Sequence, residues 1–282
     1  TKDLETSAHV PLRICILQVL CLLVYSMPHT LLHRNYVQNI LPSAWKVFVG
    51  LQSAYLNGEI LSSSLQQAST DNIDFNCGTV YLFQNLILLL LEFFHAIVDS
   101  KVLSRFMFSS VTETVYVLVH YMQYSHQQLE TYEFEEDQFT IAEQESRYSI
   151  GSLSVRSSAG KLLSEILARN STVSDVPVVE QALRAMSMRL QETSQHPVDS
   201  SSWRLREATL FGCTRSLRCF LKHSKEFSNS FPEFVRTLQG DLQSEISPYL
   251  CTRALLCLAK SFKSLPSDVQ LSEELLHPFH QL

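Results

Sequence analysis

Apolar residues recur at intervals of three and four along almost the whole chain, in leucine-rich stretches separated by short polar joints. Side chains spaced in this way share one face of a helix, whereas a half-buried strand needs alternation with period two, which no stretch sustains. Seven glycines and nine prolines in 282 residues also leave little punctuation for short strands and tight hairpins. The pattern predicts helices near residues 9–27, 35–57, 78–98, 101–127, 150–168, 174–194, 200–223, 229–244, 247–264 and 267–281. Start signals accompany several of them: Pro42 with Ser43, Asp175 with Pro177, Ser247 with Pro248, and Ser267 with Asp268 after Pro266. The expected fold class is all-α.

Consecutive amphipathic helices with joints this short pair antiparallel, and pairs with two apolar sides stack rather than close on themselves. The expectation is therefore an α-solenoid, one continuous array in which residues 1–129 and 151–282 are helical repeats and residues 130–150 form an acidic loop between helices. The second half carries an echo. SLSVRSSAGKLLSEIL, SSWRLREATLFGCTRSL and ISPYLCTRALLCLAKSF each set an arginine just ahead of a small residue and then an apolar run: Arg156 before Ala159, Arg206 before Ala208, Arg253 before Ala254. The small residue lets neighbouring helices approach, and the arginine can bond loop carbonyls or a carboxylate of the adjoining pair. The arginines lie 50 and 47 residues apart, close to the repeat of roughly 40–47 residues of a HEAT or armadillo unit.

Charge is distributed unevenly. Glu130, Glu133, Glu135, Glu136, Asp137, Glu143 and Glu145 face a single cation, Arg147, in the 130–147 window, which accounts for the whole net charge of -6. A neutral body with one acidic segment does not attract nucleic acid, whose phosphates need Lys and Arg. Its long-range attraction is for a basic partner. Tyr132, Phe134, Phe139 and Ile141 are interleaved with these carboxylates, so the segment can neutralise a cationic protein while covering its apolar patches. The seven acidic residues are thus the candidate cargo-binding set; the plainer reading is a solvated connector.

Little else points to chemistry. Cys15, Cys21, Cys213, Cys219, Cys251 and Cys257 fall into pairs six apart, a spacing that suits neither a CxxC motif nor an i,i+4 ligand pair, and most of the seven, Cys77 included in the count, sit in apolar runs and read as small hydrophobes in a reducing compartment. His29 and His33 are four apart but lack a third ligand, and Pro28 marks a turn there. His95 and His120 lie within apolar stretches, where a satisfied core histidine is the ordinary case. No glycine-rich phosphate loop or nucleophile elbow can be built, so neither an enzyme, a cofactor nor a metal is expected. Residues 12–27 and 80–98 are apolar enough to suggest membrane spans. However, the first is short and holds Arg13 and Gln18, and the second holds Gln84, Asn85, Glu92 and His95, so both are expected to be buried helices and no membrane partner is expected. TKDLETSAHV does not read as a secretion signal, and its lack of an initiating Met suggests a piece of a longer chain.

Taken in order, LPSAWKVFVGLQSAYLNGE, YMQYSHQQLETYEFEEDQF, RYSIGSLSVRSSAGKLL, SSWRLREATLFG and ISPYLCTRALLCLAKSF resemble an internal stretch of the importin-β family of karyopherins, covering most of the chain. The resemblance implies a HEAT-repeat superhelix that wraps basic protein cargo such as core histones and ribosomal proteins. It shields their charge and releases them under control of Ran-GTP. It also implies contacts with phenylalanine-glycine nucleoporins, a main Ran contact outside this stretch, and shuttling between cytoplasm and nucleus. Related sequences carry a denser carboxylate run at the central loop; here only Glu143 and Glu145 remain at that point, and the acid is concentrated upstream at Glu133 to Asp137. The competing expectation is a HEAT scaffold of a cytoplasmic complex, which needs no basic cargo; a lipid-binding helical protein is a third.

Overall fold

The structure, a computed structural model, describes residues 9–57, 77–134, 154–169, 177–195, 202–243 and 246–264. Among these there is no strand, and the helices are α1 (Val10–Ser26), α2 (Pro28–His33), α3 (Tyr36–Tyr55), α4 (Cys77–Asp99), α5 (Arg105–Phe108), α6 (Val111–Tyr121), α7 (His126–Phe134), α8 (Val155–Ala168), α9 (Val178–Gln195), α10 (Ser202–His223), α11 (Lys225–Leu242) and α12 (Pro248–Ser264). The all-α expectation holds. The helices gather into two compact units, residues 1–109 with 124–165, and residues 110–123 with 166–282.

In the first unit α1 packs along α4. It buries Ile14, Leu17, Cys21 and Val24, at intervals of three and four, and the Cys21 thiol lies 4.0 Å from the Leu89 carbonyl. Its other side leaves Leu12, Ile16, Val19, Leu22 and Tyr25 exposed, so the helix expected to be buried is covered on one face only. α4 is covered more completely, burying Leu86, Ile87, Leu90, Leu91, Phe93, Phe94 and Ile97. The stretch Leu82–Asp99 is long and apolar enough to cross a membrane, and half of it is buried within the fold. From α3, Trp45 and Phe48 close on Phe94 with ring centroids 5.9 and 5.2 Å apart in edge-to-face geometry, an arrangement that adds about 0.5–1.5 kcal/mol per pair beyond area burial.

Three local expectations are corrected here. The Pro28 neighbourhood is the short helix α2, not a turn; Asn35 follows it with φ of 54°, the left-handed conformation that Asn tolerates, and turns the chain into α3. Pro42 with Ser43 does not start a helix but lies inside α3, where the Ser43 hydroxyl donates to the Asn39 carbonyl at 3.2 Å. The single helix expected over 101–127 is three, α5, α6 and the start of α7. The break at Ser109 and Ser110 is stabilised by the Ser109 hydroxyl, which donates back to the Phe106 carbonyl at 3.0 Å. The helix expected over 267–281 lies outside the described residues.

The second unit contains two helix hairpins at matching spacing. α9 and α11 each have 18 residues and begin 47 apart, and α10 and α12 begin 46 apart. α9 runs antiparallel to α10: Cys213 meets Met186 at 3.5 Å, while Arg206, earlier in α10, meets Ser194, later in α9, at 2.9 Å. Between α10 and α12 the register is constant. Trp203 stacks on Tyr249 with centroids 6.1 Å apart, Glu207 accepts from Arg253 Nε at 2.7 Å, and the Thr214 carbonyl accepts from Lys260 Nζ at 3.5 Å. Each of these pairs is separated by 46 residues, which makes α10 and α12 parallel neighbours in register.

The arginines of the sequence echo are buried at these contacts. Arg206 reaches Asp241 Oδ1 of α11 at 2.6 Å and the Ser194 and Thr193 hydroxyls of α9 at 2.9 and 3.3 Å. Arg253 holds Glu207 and lies over the Phe211 ring, 4.9 Å from its centroid. In the first unit, Arg156 instead stacks 3.7 Å over the Tyr124 ring. A fourth buried arginine that sequence alone did not single out, Arg189 of α9, donates to the Tyr116 carbonyl of α6 at 2.9 Å and to Glu192 at 2.9 Å, with its guanidinium 3.2 Å from the Tyr116 ring centroid. Each charge is therefore buried with a hydrogen-bonded or aromatic partner, as burial requires.

Candidate partner-binding surface

Of the seven candidate carboxylates, Glu130 and Glu133 are described and both are exposed on α7; Glu135, Glu136, Asp137, Glu143 and Glu145 lie outside the described residues. The acidic segment, expected to begin as a loop at residue 130, thus begins as helix. The cause is a reciprocal cap: Ser125 Oγ accepts from the Gln128 amide at 3.2 Å, and Gln128 Oε1 accepts from the Ser125 amide at 3.0 Å. The tetrapeptide Ser125-His126-Gln127-Gln128 carries this signal openly, and sequence reading passed over it.

α7 is fixed to its unit from one side only. Leu129 is buried, and Tyr132 meets Tyr124 edge-on at 5.8 Å beneath the Arg156 guanidinium. The other side carries Glu130, Glu133 and, at the last turn, Phe134, which is 87% exposed. His126 Nε2 lies 3.2 Å from Glu130 Oε1, one turn away. Carboxylates three apart stand on neighbouring positions of a helix surface, so one turn presents two negative charges beside an uncovered aromatic ring. A lysine or arginine of another protein can pair with the former while its apolar stem covers the latter.

Several of the remaining reactive side chains are engaged in the fold. His29 and His33 are exposed on α2, and among the described residues no group of three or more His, Cys, Asp or Glu is placed to hold a metal. His120 is pushed down to about 4 by burial and by Arg189, with Glu192 pulling the other way, and so is neutral near pH 7. His95 is held below its ordinary value by burial and by Lys161, against the pull of Glu165, Asp99 and Glu92. Burial drives the thiols upward: Cys21 to about 12, with Glu92 contributing, and Cys257 to about 11, while Cys213 is raised well above its usual range. Thiols held protonated in this way are packing groups, not nucleophiles.

No protein-family model matches the chain.

Proposed function

We propose that the chain is a stretch of an α-solenoid of HEAT-like antiparallel helix pairs belonging to a nuclear transport receptor of the importin-β family, and that it binds and shields basic protein cargo. The observation that carries the reading is the constant 46-residue register between α10 and α12, set by Glu207 with Arg253 and by Thr214 with Lys260. Two hairpins whose helices begin 46 and 47 residues apart, with their second helices parallel, form the unit from which a stack of this kind extends. The ordered sequence resemblance supplies the family, and the carboxylates that begin on α7 supply a surface for cationic cargo such as core histones or ribosomal proteins. Ran-GTP control, phenylalanine-glycine nucleoporin contacts and shuttling between cytoplasm and nucleus follow from that family reading.

The test is binding of the chain to purified core-histone dimers across a salt series. The expected result is affinity that falls steeply with salt and weakens at least tenfold when Glu130, Glu133, Glu135 and Glu136 become Gln and Asp137 becomes Asn, a loss of about 1.4 kcal/mol or more. Unchanged affinity in that variant removes the acidic segment from cargo binding. Absence of histone binding by the unaltered chain favours the scaffold of a cytoplasmic complex.

A further inference from the structure

From Trp203 to Ser216 α10 is buried, with only Arg204, Leu205 and Arg215 partly open, and it first becomes fully exposed at Arg218 and Lys222. From Ala208 to Lys225 the sequence has Arg215, Arg218, Lys222 and Lys225 and no carboxylate. α12 ends beside this stretch, because the parallel register that sets Lys260 against Thr214 also brings Lys263 level with Leu217 and Arg218. α11 runs back antiparallel from the same place, its first turn linked to the end of α10 through Phe220 and Phe227, with centroids 5.5 Å apart, and this fixes Lys225 there. Six cations therefore meet at one end of the second unit, in a chain whose net charge is -6. The carboxylates that flank this stretch are Glu207, buried and paired with Arg253 at 2.7 Å, and Glu226, exposed on the first turn of α11; Glu233 farther on is engaged by Arg236 at 3.0 Å.

Complementing helix dipoles explains only part of this cluster. Lys222 and Lys263 occupy last turns, where cations are favoured. Arg215 lies two turns before the end of its helix, and Lys225 opens α11, where the dipole disfavours a cation. The apolar surroundings indicate which anion fits. Leu255, Ala259 and Lys263 are exposed at successive turns of α12, a stripe that passes from apolar to basic. This surface is built largely from helix C-terminal ends, whose carbonyls offer no N–H groups to phosphate. A protein segment bearing both carboxylates and an apolar side chain matches it better than a nucleic acid.

We infer that the end of the second unit formed by Arg218, Lys222, Lys225 and Lys263, with Leu255 two turns before Lys263 on the same exposed stripe of α12, is a docking surface for an acidic protein segment. The surface is distinct in sign from the carboxylates of α7, and its test is independent of cargo binding. A fluorescent peptide of about twelve glutamates with one central leucine is titrated with the full chain, alongside single-stranded DNA of equal charge, and binding is read by anisotropy. The expected result is salt-sensitive binding of the peptide, weaker binding of the DNA, and at least a tenfold loss when Arg218, Lys222 and Lys263 are changed together to Glu with the helical circular dichroism unchanged. If that variant does not fold, Arg218→Gln with Lys222→Gln and Lys263→Gln gives the same reading, and Leu255→Ser reports on the apolar part. The inference is overturned if the unaltered chain does not bind the peptide, if the charge variants bind it undiminished, or if DNA of equal charge binds more tightly.

Discussion

Arg253 donates to Glu207 at 2.7 Å, and neither side chain reaches solvent: the arginine is 3% exposed and the glutamate 0%. The two residues belong to parallel helices of successive hairpins, so this pair, more than any local preference, holds α12 in register with α10. Desolvating two charges costs several kcal/mol each, and their attraction returns this only while both are present.

Removing one partner therefore costs more than removing both. Glu207→Leu or Arg253→Met, each leaving a buried charge uncompensated, is expected to lower stability by about 3–5 kcal/mol, whereas Glu207→Leu combined with Arg253→Met lies near the unaltered chain. Urea denaturation of the four proteins closes the cycle. Losses that simply add would show that the pair is uncoupled.

Acid sensitivity centres on His120. Its folded value near 4 lies below the unfolded value near 6.5, so the unfolded chain binds the proton first. The stability that neutral His120 contributes is present above pH 6.5 and is lost as pH falls toward 4, up to about 3 kcal/mol by linkage. Glu192 adds a separate loss lower down. Burial raises its carboxyl, but the Tyr116 hydroxyl and Arg189 outweigh this and leave it below 4.5, so its contribution fades only under that pH. His120→Gln is expected to flatten the stability profile between pH 6.5 and about 4 and to leave the loss below that range in place, as followed by thermal melts from pH 7 to 3.

The cap on α7 is local and separable. Ser125→Ala removes the acceptor for the Gln128 amide and is expected to cost about 1 kcal/mol. The loss should appear as faster amide hydrogen exchange at the start of α7 with little change in the second unit. Gln128→Ala removes the reciprocal bond and is expected to act in the same direction.

Two glycines oppose their own helices. Gly50 in α3 and Gly240 in α11 have open space where a Cβ would stand and show no left-handed backbone. Gly240→Ala and Gly50→Ala are each expected to raise stability by about 0.5–1 kcal/mol, read as an increase in melting temperature. A decrease would mean that an unrecognised close approach exists at these positions.

Much of the helical frame was legible because residues such as Ile14, Leu17, Cys21 and Val24 advertise a buried face by spacing alone. Arg206 and Arg253 were also legible as a repeated feature, but their partners were not. Asp241 and Glu207 lie 35 and 46 residues away, and only packing decides which helix meets which. The break between α5 and α6 was hidden because Leu103, Met107, Val111 and Val115 keep helical spacing through Ser109 and Ser110. At the candidate surface, composition indicated the carboxylates but not that Glu130 and Glu133 stand on a capped helix, although the Ser125–Gln128 spacing is a capping-box signature visible in the sequence. The basic end of the second unit was missed for a related reason: Lys263 is distant in sequence from Arg218 and joins it only through the parallel register.

The offset of 46 residues gives the second unit a direction. Proteolysis between α11 and α12 would strip the cation from Glu207 and strand a carboxylate in the interior. Cutting between α9 and α10 instead separates Arg206 from the Ser194 and Thr193 hydroxyls but leaves it joined to Asp241. The two cuts thus leave wounds of opposite kind: the first strands a buried anion, while the second leaves the buried arginine with its carboxylate.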